Sequence, residues 1–161
     1  MPELHISVEE PIERDSKKEA SFTLYRSNDE TVRTVMSMTG VISGRGNSTR
    51  DYMPKKPYKF KLNEKTSLLG LESKKDWILL ANFADKTLIR NYLVNRLAQE
   101  VESPFAPSSR FVEVYLNSVH QGDYMLTDRE VSISTLSDGD EHPQAITSGY
   151  VLEIDQRAPA K

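Results

Sequence analysis

The residues best suited to chemistry lie close together between Gly44 and Leu62, in the run GRGNSTRDYMPKKPYKFKL. Arg45 stands between two glycines, which permit φ > 0 and let a ligand come close to the backbone. Its guanidinium can fork onto phosphate oxygens, and the backbone N–H groups around Gly46 to Ser48 can add donors. Asn47, Ser48 and Thr49 supply an amide and two hydroxyls on a segment too polar for a core. After Pro54 the order Tyr58-Lys59-Phe60-Lys61-Leu62 has period two. A strand there puts Tyr58, Phe60 and Leu62 on one face and Lys59 and Lys61 on the other, toward a cleft or toward water. Cations beside a glycine turn suggest a phosphate site; the plainer alternative is a hairpin turn with surface charges. Two carboxylates near the end, Glu153 and Asp155, share one face of the run Tyr150 to Asp155 and together could meet a metal.

Several strands must position this stretch. Leu4, Ile6 and Val8 alternate with polar residues, as a half-buried strand does. Phe22 and Leu24, then Val32, Val35, Met36 and Met38, suggest two strands around a turn at Ser27-Asn28-Asp29, and Val41-Ile42 a further one leading to Gly44. Trp77 to Ala81 is a continuous apolar run, expected to be buried on both faces whether it is strand or helix. Asp85 stands where an N-cap belongs, and Ile89, Leu93, Leu97 and Val101 recur at helical spacing, predicting a helix over Lys86 to Val101 that ends before Pro104. Arg90 and Asn91 fall on the side away from the apolar row; surface charge suits them, although Arg90 could reach a cleft. Phe111 to Leu116 and Tyr124 to Leu126 flank turn residues and read as a hairpin, and Tyr150 to Asp155 as a last strand after a polar loop at residues 137–143. The pattern as a whole is α+β, a mostly antiparallel sheet with one main helix, in a single domain spanning residues 1–161.

Composition excludes several classes. The chain of 161 residues carries a net charge of −3 and no cysteine, which speaks against a nucleic-acid coat protein and removes thiol chemistry and disulfides. His5, His120 and His142 lie in separate segments without metal-ligand spacing, and Ser48 and Thr49 have no local His/Asp partner for nucleophilic hydrolysis. No stretch is long and apolar enough to span a bilayer, and the start MPELHISVEE lacks the basic and apolar regions of an export signal.

Seven segments, GRGNST, KKPYKFKL, DWILLANFAD, LIRNYLVNRLAQE, FVEVYLN, QGDYMLT and ITSGYVLEID, resemble in order the motifs of the spore-coat protein H (CotH) family of atypical protein kinases. The likeness runs from about Gly40 to Asp155 and is specific as a set. It implies a kinase-like amino-terminal lobe, ATP with a divalent metal (Mg²⁺ or Mn²⁺), phosphoryl transfer to serine or threonine of a coat or surface protein, and a spore-coat or cell-surface location. It also implies that Lys61, with Lys59 as second choice, contacts phosphate beside Arg45, Asn47 and Ser48. The carboxylate holding that lysine would be Glu153, in the best-matching motif, or else Glu113.

The resemblance has departures. Ser148 replaces a glycine, His120 a tyrosine, and Arg50-Asp51 stand in place of an aromatic and a glycine in a turn one residue longer, which could move Arg45. The family's catalytic and metal-binding aspartate segments have no counterpart after Asp155. The expectation is therefore a nucleotide-binding lobe lacking its catalytic partner lobe and inactive alone. The alternative is a non-catalytic surface or coat-assembly module on the same lobe.

Overall fold

A computed structural model of the chain describes residues 1–14, 16–28, 31–103 and 106–128, all within a compact unit spanning Met1–Arg129. Its elements in order are β1 (Glu3–Val8), β2 (Lys18–Asn28), β3 (Thr31–Gly44), α1 (Ser48–Tyr52), β4 (Tyr58–Thr66), β5 (Lys74–Leu80), α2 (Arg90–Glu100), β6 (Ser109–Leu116) and β7 (Val119–Asp128). The expected strand Tyr150 to Asp155 and the polar loop before it lie outside the described residues, as do Glu153, Asp155 and His142.

The strands close into a barrel in the order β1-β2-β3-β4-β5-β7-β6. This overturns the α+β, kinase-lobe expectation. Each neighbouring pair is antiparallel except the closing one, where β1 runs parallel to β6 with Leu4 opposite Val114 and Ile6 opposite Leu116. Alternation in each strand turns one row of side chains inward, among them Leu4 and Ile6, Phe22 and Leu24, Phe60 and Leu62, and Val112 and Val114, all nearly solvent-free. Phe22 stacks on Phe60 with ring centroids 4.7 Å apart. Each such side chain, once fully buried, contributes about 1.5–3 kcal/mol. The core thus fills the barrel rather than a layer between sheet and helix.

Local chemistry explains the turns. Asn117 and Ser118 both take positive φ (48° and 67°), giving β6–β7 the tight two-residue reversal whose twist suits a hairpin. The segments around Val32–Met38 and Val41–Ile42 are one strand of 14 residues, β3. Gly40 lets β3 approach β4 so closely that a Cβ would overlap the Lys61 carbonyl. β5 is buried on both faces, as expected: Trp77 and Leu79 face the core and Ile78 is also buried.

The helix is shorter than expected and differently placed. Leu88 adopts φ +61°, which stops α2 from starting at Lys86. Its apolar row does not pack on the barrel: Leu93 is 55% and Leu97 66% exposed, with Val94 and Val101 likewise open.

Candidate functional site

The glycine turn leaves β3 at Gly44, which pairs with Tyr58 at the start of β4. Gly46 sits at φ +82°, a conformation that glycine adopts without strain. The N–H of Gly44 donates to the Glu13 carbonyl (2.7 Å) and that of Arg45 to the Pro57 carbonyl (3.2 Å). These two amides are committed inside the protein.

Arg45 lines a cavity of about 400 Å³ between this turn and the connection from β5 to α2. Two further cations, Lys55 and Arg90, line it, with one carboxylate, Asp85. Met53, Pro57, Leu80, Ala81 and Phe83 supply apolar wall, and Thr49, Asn82 and Asn91 polar groups. A mostly apolar concavity with a few convergent polar and charged groups is the usual form of a small-molecule site. Three cations against one carboxylate favour an anion.

Each charged group is held by neighbours. The Lys55 ammonium donates to the Asp123 carbonyl and lies 4.3 Å from the centre of the Tyr124 ring, a cation–π contact. Burial pushes its pKa below the ordinary lysine value, with the Asp123 charge opposing. Tyr124, its phenol driven well above the usual range by burial and then by Tyr58, donates to the Lys56 carbonyl (2.9 Å). On the opposite wall the Asp85 carboxylate accepts from the Thr87 hydroxyl (2.6 Å), the Thr87 N–H (3.0 Å) and the Arg90 N–H (2.9 Å). These bonds, the Thr87 hydroxyl foremost, hold its pKa below the ordinary carboxylate value. Asp85 thereby caps α2 from outside its first turn and lies 3.5 Å from Arg90 Nε. Asn91 donates to the Asn82 side chain (2.8 Å), and Asn82 to the Leu88 carbonyl (3.2 Å). This network orders the loop before any ligand arrives.

Of the residues singled out from the sequence, Arg45 lines the cavity, and so does Arg90, whose reach into a cleft was the lesser expectation. Asn47 and Ser48 are exposed at the start of α1 and do not line it. Lys59 and Lys61 project from the outer face of β4, opposite Ser43 and Val41, and are not among its lining residues. Glu113 lies in the barrel seam, opposite Glu3 in register and 3.8 Å from His120. His5 stacks on Tyr115 (4.3 Å) and bonds Glu3 (3.0 Å). Among the described residues no three His, Cys, Asp or Glu side chains group as metal ligands.

Lys55 was missed as a site residue because it precedes Pro57 in a connection that has no period to assign it a side. Asn82 was missed, and Asn91 read only as a surface residue, because their bond joins positions nine apart across a left-handed kink.

A family model described as CotH kinase protein matches residues 42–159. No curated protein matches the chain.

Proposed function

Because the chain belongs to the CotH kinase protein family, we propose that the cavity between the glycine turn and the β5–α2 connection takes the triphosphate of ATP. The carrying observation is the convergence of Arg45, Lys55 and Arg90 on one concavity with an apolar wall. ATP supplies a transferable γ-phosphoryl group. Arg45 and Arg90 offer planar forks for phosphate oxygens, and Lys55 a point charge in a setting where desolvation strengthens its attraction to an anion. Leu80, Ala81 and Phe83 provide a surface for the base. The acceptor would be serine or threonine of a coat or surface protein, and a spore-coat setting suits the family.

A divalent metal accompanies phosphoryl transfer in kinases generally. The described residues do not fit one: the lining carboxylate, Asp85, already accepts three hydrogen bonds. Glu153 and Asp155, the sequence-derived candidates, lie outside the described residues. No step is therefore assigned to a metal.

Titration calorimetry of ATP tests the assignment. Arg45→Ala, Lys55→Ala and Arg90→Ala should each remove a charge-assisted contact of about 1.5–3 kcal/mol, roughly tenfold or more in Kd. Lys61→Ala and Lys59→Ala decide between this set and the one the resemblance implies. A loss confined to Lys61 and Lys59, with the three cavity variants unaffected, refutes the cavity assignment.

A second reading, a non-catalytic surface or coat-assembly module, is favoured by the apolar row that α2 leaves exposed. Retention of full partner binding by a variant that has lost ATP would support it.

A further inference from the structure

We infer that three consecutive residues ahead of β2, Ile12, Glu13 and Arg14, form a strap that sets the position of the glycine turn, with Arg50 as the positioning residue through which it acts. The consequence for nucleotide binding rests on the reading of the cavity given above; the strap itself rests on contacts.

Each strap residue holds a different part of the turn. The Ile12 carbonyl accepts a hydrogen bond from Arg50 Nη2. The Glu13 carbonyl accepts the Gly44 N–H at 2.7 Å. Arg14 pairs with Asp51 and reaches the Asn47 carbonyl at 3.4 Å. Ile12 also packs against the barrel core, which anchors the strap to the rigid part of the molecule. Gly44, Asn47, Arg50 and Asp51 are thus all tied to one short run that is distant in sequence.

Gly44 gains its physical reason here. Any Cβ at that position would overlap the Arg50 guanidinium, so the glycine serves the passage of the arginine and not a positive φ. Arg50 lies behind the turn and is not among the residues lining the cavity. Its Nη1 is buried with no hydrogen-bond partner among the described residues, a cost that an arginine left on the surface would not carry. Lys56 closes the loop by donating to the Arg50 carbonyl (2.6 Å), and the Pro57 carbonyl holds Arg45. Arg45 therefore enters the cavity from a backbone gripped by the strap on one side and by the approach to β4 on the other.

The strap precedes residue 42, where the family match begins, whereas the turn it holds lies inside the match. Arg50 and Asp51 are also the positions at which the turn departs from the motif it resembles. The longer turn and the strap are accordingly complementary: added length that would leave Arg45 loose is taken up by contacts from an earlier segment.

Amide hydrogen exchange on the full 161-residue chain, together with ATP titration, tests this. In Arg50→Ala the amides of Gly44 and Arg45 should exchange about tenfold faster or more, while those of the β6–β7 hairpin keep their rates. ATP should weaken by a similar factor, and Arg50→Lys, which keeps a donor for the Ile12 carbonyl, should recover part of both. Arg14→Ala should speed Arg50 and Asp51 exchange to a smaller extent. Unchanged exchange at Gly44 and Arg45 in Arg50→Ala overturns the strap, as does an equal rise across the hairpin. If Arg50→Ala fails to fold, unchanged rates at Arg50 and Asp51 in Arg14→Ala overturn it. If the unaltered chain does not bind ATP, exchange alone decides the strap, and the nucleotide reading is what fails.

Discussion

Lys55 is the residue on which the electrostatics of the cavity turn. Burial holds its pKa below the ordinary lysine value, so folding penalises the charged form. That penalty is present below the folded value and is relieved as pH rises toward the ordinary one. Phosphate needs the charged form, so ATP affinity should fall as pH rises past the lowered Lys55 value, earlier than for an exposed lysine. Lys55→Arg should remove that limb of the profile; identical profiles for the two proteins would contradict the assignment. Asp85 works in the opposite sense. Its folded pKa is lowered, so its stabilisation of the loop is present above the ordinary carboxylate value and lost as pH falls through the folded value. Protection of the Thr87 and Arg90 amides should fail in that acid window, and Asp85→Asn should weaken the window's effect. The sequence made Arg45 legible because glycines on both sides mark a turn that carries a cation. It did not reveal Lys55, whose role depends on the Asp123 carbonyl and the Tyr124 ring from a distant strand.

Among the elements, the strands were far more legible than the helix. Alternation located β1, β4 and β6, while the apolar run at Trp77 announced burial on both faces without deciding between strand and helix; it is the strand β5. The helical period at Ile89, Leu93 and Leu97 likewise identified α2, but a period states that a helix has an apolar face and not what covers it. The start was misjudged because Leu88 takes a left-handed conformation held by Asn82, a tertiary bond outweighing helix propensity. Since Leu93 and Leu97 are open to water, Leu93→Ser and Leu97→Ser should change stability by no more than about 0.5 kcal/mol. Leu79→Ala in the core should cost about 2–5 kcal/mol. Urea unfolding checks both, and a Leu97→Ser penalty matching that of Leu79→Ala would show that the Leu93 and Leu97 side of α2 is covered after all.

For the molecule as a whole, closure is what the sequence could not disclose. It depends on β1 meeting β6 in parallel across more than a hundred residues, with two acidic residues, Glu3 and Glu113, as register partners, a pairing that local pattern disfavours. Buried area in the barrel interior outweighs that local repulsion. A closed barrel unfolds as one unit, so the fluorescence of Trp77, 1% exposed, should follow the same urea transition as the far-ultraviolet signal. Ile6→Ala at the seam should shift both together; separated transitions would contradict closure. Family membership covers residues 42–159, so β1 and β2 precede the matched range while the cavity lies inside it. The most direct measurement of where the ligand goes is an ¹⁵N-resolved titration of the chain with ATP. Shifts should concentrate at Gly46, Thr49, Lys55, Phe83 and Asn91, on both walls of the cavity. Shifts centred on Lys59 and Lys61 along the outer face of β4, with those walls unmoved, would contradict the assignment.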